Sequence, residues 1–245
     1  MIGHPSLVLN DLAPTGTLRA AINLVNTVLA RAHPTTGALA GVTVDLAREL
    51  ARRLDVPLEL IAFHGAGTVM EAAETGTWDV AFLAIEPMRA ARVAFTAPYV
   101  LIEGGYLVPG DSPFRTIAEV DREGTRIAVG KGSAYDLYLT RTLQYATLVR
   151  APAAGIAVTD LFLADKLDAV AGVKPALATF VARQPNLRLL DGSFMEIRQA
   201  MCTAKGRDAG HRYLRDFVEE MKRSRFIARA LLRNDQREAV VAPPI

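Results

Sequence analysis

The amino-acid sequence predicts an α/β protein with a largely parallel sheet, organised as two similar α/β lobes. Short apolar strands alternate with amphipathic helical segments along the chain, and this alternation is typical of strand–helix–strand units. The alternation occurs in two successive series, each with a strand, a glycine-bearing turn and a helix start. The length of 245 residues is sufficient for one large domain or for two modest lobes.

The first series begins with a strand at 18–22. The segment that follows contains Pro34 and Gly37 and predicts a loop. At 44–54, apolar residues recur on one face and arginines lie elsewhere, which predicts an amphipathic helix. The later elements of this series are a strand at 57–63, a helix from 66 to a stop at Gly76, a buried strand at 78–85, and a short helix opened by Glu86 and Pro87.

The second series follows a strand that starts near residue 102 and runs into a turn. Its predicted elements are strands at 125–130, 147–151 and 168–173, with helices at 133–145 and 155–167. Two segments, near 103–108 and 195–203, are expected to cross between the lobes, and helices within 209–234 are expected to return to the first. The sequence thus predicts lobe 1 at 1–104 and 201–245, and lobe 2 at 105–200.

The composition indicates a globular protein and disfavours several classes of function. Hydrophobic residues make up 51% and charged residues 22%, and the formal net charge is +2 without a long basic run, so nucleic-acid binding is not expected. The single cysteine, Cys202, excludes a disulfide framework and a multi-cysteine metal site. No cofactor is predicted, and no segment has the length of apolar sequence that spans a bilayer.

The N-terminal segment does not have the pattern of a secretory signal. No cationic residue precedes Arg19, and an apolar core of useful length is missing. We therefore expect either a cytoplasmic protein or a mature form whose signal has been removed and to which a start methionine has been added.

Motifs for nucleophilic catalysis or nucleotide binding are weak or missing. The sequence contains no G-x-S-x-G elbow, and its four histidines are scattered. The segment at 130–133, GKGS, resembles part of a dinucleotide fingerprint but lacks the third glycine. Acidic residues near predicted strand ends, where α/β folds bind ligands, could act as acids or bases, but the sequence does not bring any two together; they are Asp79, Glu86, Glu103 and Asp136.

Arg89 is a candidate for binding an anion. Its guanidinium is a planar fork that matches a carboxylate, and at the start of a short helix after a buried strand it would point toward the strand ends. The spacing leaves two interpretations open, a carboxylate-binding arginine and an ordinary surface arginine. Arg92, one helical turn later, is interpreted as a surface residue.

Three segments carry a resemblance to a known family. WDVAFLAIEPMRAARVAFTAPYV, LAGVTVDLARELARRLDVPLEL and LDAVAGV resemble, in the right order, segments of bacterial solute-binding protein family 3, the amino-acid-binding proteins of ABC transporters. The resemblance extends from Thr17 to about Ala230. It implies a type II periplasmic-binding-protein fold, in which two Rossmann-like lobes joined by a hinge close on a small ligand in the cleft between them.

The resemblance also implies roles for individual residues. Arg89 matches the arginine that binds the ligand's carboxylate. Ser133 matches a hydroxyl at a helix start in the second lobe that holds the same carboxylate, and Ala134 would supply a backbone N–H. Asn26 stands where the family commonly has an aromatic residue, which suggests a more polar or smaller ligand.

The sequence departs from the family where the ligand's amine is usually bound. Between Asp79 and Arg89 the chain is two residues shorter than the family pattern. Hydrophobic residues stand where the family has Ser or Thr; they are Leu83, Ala84 and Ile85. In the second lobe, Val173 occupies the position of the aspartate that pairs with an α-ammonium.

These departures leave two interpretations of the ligand. An ammonium enclosed without an anion or acceptors would be strongly disfavoured. The ligand therefore either lacks an α-amino group or presents it to another acid, for which Glu103 is the candidate. Lys174 would favour a second negative group, as in a dicarboxylate, or is a solvated lysine at a strand end.

The resemblance implies a protein that is not an enzyme and that delivers a small carboxylate-bearing ligand to the permease subunits of an ABC importer, as a periplasmic monomer. One alternative is a lyase of the cyclohexadienyl dehydratase type. The catalytic glutamate of those enzymes aligns with Ala176, although Glu103 or Glu196 could serve instead. A second alternative is a cytoplasmic ligand sensor.

Overall fold

The computed structural model describes residues 6–152 and 154–245. The chain divides into two compact units: unit 1 contains Met1–Leu101 and Arg198–Ile245, and unit 2 contains Ile102–Ile197. Both units combine helices with strands of a sheet, which confirms the predicted α/β class.

The elements of the first part of the chain match most of the predicted ones. In order they are α1 (Ser6–Leu12), β1 (Leu18–Asn23), β2 (Arg31–Ala32), β3 (Leu39–Ala40), α2 (Val42–Leu54), β4 (Leu58–Phe63), α3 (Ala66–Ala72), β5 (Val80–Ala84), α4 (Pro87–Ala90) and β6 (Val93–Pro109).

The remaining elements complete unit 2 and then return to unit 1. After a 3₁₀ turn at Ala118–Val120 they are β7 (Arg126–Gly130), α5 (Ala134–Thr142), β8 (Thr147–Ala151), α6 (Ile156–Ala164), β9 (Ala169–Val173), α7 (Lys174–Val181), β10 (Leu187–Leu189), β11 (Met195–Ala204), α8 (Asp208–Arg223), α9 (Phe226–Arg233) and β12 (Val240–Val241).

The sheet of unit 1 has the strand order β4-β1-β5-β11-β6. Strand β1 is parallel to β4 and to β5, with Ala21 opposite Ala81, whereas β11 is antiparallel to β5. The carboxyl ends of β4, β1 and β5 therefore lie at the same edge of the sheet, which we call the unit-1 edge. In α/β sheets this is the edge where ligands bind.

Hydrophobic packing fixes β5 at the centre of unit 1. All five residues of β5 are buried, and Leu83 belongs to a core cluster that includes Trp78, Val93 and Cys202. The indole of Trp78 donates a hydrogen bond to the carbonyl of Val69 in α3, at 2.9 Å. This packing leaves β5 little freedom to shift, and the residues after it are held in place.

Unit 2 has the strand order β8-β7-β9-β6, with β10 paired to β6. Strand β7 is parallel to β8 and β9, and β6 is antiparallel to β9 with Gly104 opposite Val173. The carboxyl ends of β7, β8 and β9 lie at one edge, which we call the unit-2 edge. The core beneath this sheet contains Leu107, Phe162 and Val170.

Some elements differ from the prediction. The predicted loop after β1 contains a short hairpin, β2–β3, and α2 begins two residues early, at Val42. Gly41 precedes α2 with φ 129°, and a side chain there would collide with the carbonyl oxygen of Leu29. Helix α3 ends at Ala72 rather than near Gly76, because the chain turns there and Thr75 Oγ1 donates to the carbonyl of Ala72 at 3.0 Å.

Helices α1 and α7 were not predicted from the sequence. Helix α1 has only seven residues, too few for a clear periodic pattern, and α7 begins at Lys174 directly after β9 with Pro175 in its first turn. Across residues 6–152 and 154–245, no helix has both the length and the apolar character needed to cross a membrane.

Candidate functional site

The unit-1 edge holds a short helix that positions Arg89. Strand β5 ends at Ala84, and Glu86 then caps α4: its carboxylate accepts a hydrogen bond from the backbone N–H of Met88 at 2.8 Å. Glu86 is followed by Pro87, which favours the first turn of a helix. The sequence Glu-Pro therefore starts α4 immediately after the buried strand, and Arg89 lies five residues beyond the end of β5.

The guanidinium of Arg89 is buried against the end of β5. Its Nη1 donates to the carbonyl oxygen of Ala84 at 3.0 Å, and the residue is only 4% exposed. Burial lowers the pKa of Arg89 to about 10, and the nearby charge of Glu86 opposes this shift only in part. At neutral pH the side chain is still a cation, in surroundings of low polarity where an added anion is bound strongly.

Arg92 has a different environment from Arg89. Its side chain is 39% exposed, forms an ion pair with Glu74 at 2.6 Å, and donates to the carbonyl of Met70 at 2.9 Å. These contacts join the segment after α4 to α3 and to the turn that follows α3, so Arg92 has a structural role on the surface of unit 1.

The other predicted residues of unit 1 lie near the same edge in different environments. Asn26 follows β1 by three residues, and its Oδ1 is buried without a hydrogen-bond partner within residues 6–152 and 154–245. Leu83 and Ala84 are inside β5; the side chain of Leu83 packs in the core, and the carbonyl of Ala84 accepts from Arg89. Strand β1 is the neighbour of β5, so the topology places Asn26 and Arg89 at one edge.

Ser133 caps helix α5 at the unit-2 edge. Its Oγ accepts from the backbone N–H of Asp136 at 3.0 Å, while Asp136 accepts in return from the N–H of Gly132 at 2.8 Å. These two hydrogen bonds resemble a capping box, except that Asp136 accepts from the residue before the N-cap, and they explain why G-S-A-Y-D starts a helix here. Asp136 also forms an ion pair with Arg150 at 2.9 Å. Ala134 is the first residue of α5.

Tyr135, the second residue of α5, is buried. Burial raises the pKa of its phenol to about 12, and the nearby Ser133 opposes the shift in part. The hydroxyl of Ser133 is held by the N–H of Asp136, which fixes the start of α5.

Glu103 and Lys174 form an ion pair at the unit-2 edge. Nζ of Lys174 lies 2.6 Å from Oε2 of Glu103, and the two side chains are 24% and 60% exposed. Val173, which ends β9, lies opposite Gly104. The stem of Lys174 passes so close to Gly105 that a Cβ there would collide with it. No pattern in the sequence indicated that these two charges are partners, and the structure joins them.

The remaining strand-end acid, Asp79, lies at the other end of β5. It is fully buried, and its carboxylate accepts from Arg19 at 2.8 Å and from Arg207 at 2.9 Å. The pKa of Arg19 is raised by its hydrogen bond to Asp79. Arg207 also donates to the carbonyl of Asp11 at 2.7 Å, so this cluster ties α1 and the start of α8 to the sheet. Its role is structural.

The described part of the chain shows no group of three or more metal-ligating side chains. A cavity of about 480 Å³ lies in unit 2, lined among others by Phe114, Phe162 and Lys166. It contains none of the predicted site residues and lies near Asp168, at the amino-terminal end of β9.

The two α/β units have the fold of type II periplasmic binding proteins, as the similar solved structures show and as the sequence predicted. The sequence model of the bacterial extracellular solute-binding proteins, family 3, matches residues 30–233. The chain therefore belongs to this family, and the resemblance seen in the sequence is confirmed.

Several solved structures are similar to the chain at low sequence identity. The cysteine-binding protein of Campylobacter jejuni has a TM-score of 0.81 at 16% identity, covering 98% of this chain and 100% of that protein. AbpA of Streptococcus pneumoniae, an amino acid ABC transporter substrate-binding protein bound to L-arginine, has a TM-score of 0.77 at 21% identity, with coverage of 91% and 96%.

An ancestral amino-acid-binding protein, described as a precursor of cyclohexadienyl dehydratase, has a TM-score of 0.78 at 19% identity, covering 94% of this chain and 99% of that one. At these identities the likeness establishes the fold and no specificity. No curated protein matches the chain in sequence.

Proposed function

We propose that the protein binds a small carboxylate-bearing metabolite, amino-acid-like or a dicarboxylate, and delivers it to an ABC importer. The observation that supports this most is the buried guanidinium of Arg89 at the carboxyl end of the central strand β5. A carboxylate that makes two hydrogen bonds to a guanidinium in a poorly hydrated site is held more strongly than it is in water.

Ser133 and Ala134 are the second pair proposed to contact the carboxylate. They lie at the start of α5, where backbone N–H groups and the helix dipole favour an anion. The remaining predicted contacts stay predictions; they are Asn26, Leu83, Ala84, Glu103, Val173 and Lys174.

Family membership supports the importer as partner and a location outside the cytoplasm, since the family is described as extracellular solute-binding proteins. Both remain part of the proposal, as does the monomeric state. A sensor in the cytoplasm would bind the same class of ligand. Localisation of the native protein by cell fractionation separates the two.

The proposal is tested by a pair of arginine variants. Arg89→Ala should abolish binding of the metabolite that mass spectrometry finds released from the denatured, purified protein. Arg92→Ala is the matched control, because Arg92 lies two residues after the same short helix but pairs with Glu74 on the surface. Isothermal titration calorimetry should show loss of binding for Arg89→Ala and an unchanged Kd for Arg92→Ala. Unchanged affinity in Arg89→Ala would exclude the proposed site.

We propose that the protein is not a dehydratase. The family's amino-acid-binding members support a binding role, and Ala176, which aligns with the catalytic glutamate, has no ionisable group. Incubation with prephenate or arogenate should give no product by absorbance. If product appears, the binding-only proposal is wrong, and its loss in Glu103→Gln or Glu196→Gln would identify the acid.

A further inference from the structure

Asn26 and Arg89 follow the adjacent parallel strands β1 and β5 at the unit-1 edge, and the side-chain amide of Asn26 brings a neutral acceptor to this edge. Its Oδ1 is buried and has no hydrogen-bond partner among the described residues, although the residue as a whole is only half-buried. A buried carbonyl oxygen without a donor is destabilising, and native proteins retain few of them. A donor supplied by a bound ligand would satisfy this oxygen.

Glu86, the acid whose charge acts on Arg89, already has a structural role. Glu86 is 3% exposed, caps α4 by accepting from the N–H of Met88, and compensates part of the charge of Arg89. Drawing this carboxylate toward a ligand ammonium would uncap α4 and leave the buried guanidinium with less compensation. The unit-1 edge therefore offers a ligand a cation and a neutral acceptor.

In unit 2, the acid that the sequence offered for an ammonium is also compensated. Glu103 forms its ion pair with Lys174 at 2.6 Å, and Val173 has no polar side-chain atom. Asp136, the other strand-end acid of unit 2, is held by Arg150 and by the N–H of Gly132. Each strand-end carboxylate of this unit thus already has a donor or cation of its own.

We propose that the ligand carries a hydroxyl rather than an ammonium on the carbon next to its carboxylate, and that Oδ1 of Asn26 accepts a hydrogen bond from this hydroxyl. The inference rests on the proposed function, since Arg89 is the group that binds the carboxylate. The ligand class is then a 2-hydroxy acid.

Electrostatics separates the two ligand classes at this edge. A hydroxyl is neutral and needs one acceptor, which Asn26 provides. An ammonium next to the buried cation of Arg89 would be repelled, and an amide oxygen compensates only part of its lost hydration. Binding at this edge therefore costs a 2-amino acid more desolvation free energy than it costs the 2-hydroxy acid of the same shape.

The first experiment compares matched acids by isothermal titration calorimetry on the full chain. The probes are L-lactate with L-alanine, L-malate with L-aspartate, and L-phenyllactate with L-phenylalanine. In any pair that binds, the hydroxy acid should bind at least about tenfold more tightly than the amino acid. This is the factor expected when one ligand has its hydrogen bond satisfied and the other leaves a charged group poorly compensated. Tighter binding of the amino acid overturns the inference.

The second experiment removes the acceptor. Asn26→Leu keeps the approximate size of the side chain and should weaken lactate about tenfold while leaving propanoate, which has no hydroxyl, unchanged. Propanoate is thus the control for folding and for the carboxylate contact. If the substitution weakens the binding of both acids equally, or changes the binding of neither, the proposed role of Asn26 is wrong.

The outcomes separate the inference from the proposed function. If the amino acids bind more tightly and Arg89→Ala abolishes that binding, the carboxylate site stands and the hydroxy-acid inference falls. If wild-type protein binds none of the six acids, the metabolite released on denaturation decides: a 2-hydroxy acid supports the inference, and a 2-amino acid overturns it. If Arg89→Ala leaves binding of that metabolite unchanged, the proposed carboxylate site falls and the inference falls with it.

Discussion

The two ends of strand β5 both carry a buried charge, but the protein treats the two charges differently. At the amino-terminal end, Asp79 accepts from the guanidiniums of Arg19 and Arg207, and the pKa of Arg19 is raised. At the carboxyl end, burial lowers the pKa of Arg89 to about 10. The protein therefore stabilises the charged form of Arg19 at the amino-terminal end. At the carboxyl end, burial disfavours the charged form of Arg89. The first cluster therefore stabilises the fold, and the difference supports the proposal that the second binds an anion.

The largest effect is expected at the amino-terminal end. Asp79→Ala leaves two guanidiniums without their shared carboxylate, and breaking such a buried pair lowers the free energy of unfolding by about 3–5 kcal/mol. Urea denaturation followed by circular dichroism measures this. A loss below about 1 kcal/mol, the range of exposed ion pairs, would contradict the structural role of the cluster.

A smaller effect is expected from pH at the carboxyl end. The proposed carboxylate contact needs the protonated form of Arg89, so affinity should be constant from pH 7 to 9 and fall above the pKa of about 10, toward tenfold per pH unit. Because the folded-state pKa lies below the ordinary value, the same group adds stability as pH rises from 10 toward 12.5.

Calorimetry of the bound metabolite between pH 7 and 10.5 measures the affinity change. Arg92→Ala, with its surface arginine removed, should give the same profile as the wild type. An affinity that begins to fall near pH 7 would point to a different titrating group.

The smallest effect is expected for the ion pair of unit 2. Glu103 is 60% exposed, so its interaction with Lys174 is screened by water and salt. Glu103→Gln should change the free energy of unfolding by less than about 1 kcal/mol, and the difference should shrink further in 0.5 M salt. If Glu103→Gln lowered the free energy of unfolding as much as Asp79→Ala, the proposed difference between buried and exposed charges would be wrong.

The sequence predicted most of the fold because its main elements have local signals. The apolar face of α2, the five buried residues of β5 and the Glu-Pro start of α4 can each be recognised within a few residues. Short elements such as α1 and the β2–β3 hairpin are too brief for a periodic pattern and escaped prediction.

The partners of the charged residues could not be predicted in the same way. Arg207 lies 128 positions from Asp79, and Lys174 lies 71 from Glu103, so only the folded chain brings them together. Arg89 could be predicted as a binding residue from the sequence, because its motif is local and resembles that of a family. The oxygen of Asn26 is buried without a partner among residues 6–152 and 154–245; this follows from packing, and no sequence pattern signals it.

The burial of Cys202 makes the protein suited to site-specific labelling. Cys202 is fully buried, and burial raises the pKa of its thiol to about 12, so the reactive thiolate is scarce at neutral pH. Met88, next to Arg89, is 65% exposed. In Met88→Cys the introduced thiol would react with a maleimide dye while Cys202 stays unlabelled. The native chain thus needs no cysteine removed before it can be made into a fluorescent reporter of ligand.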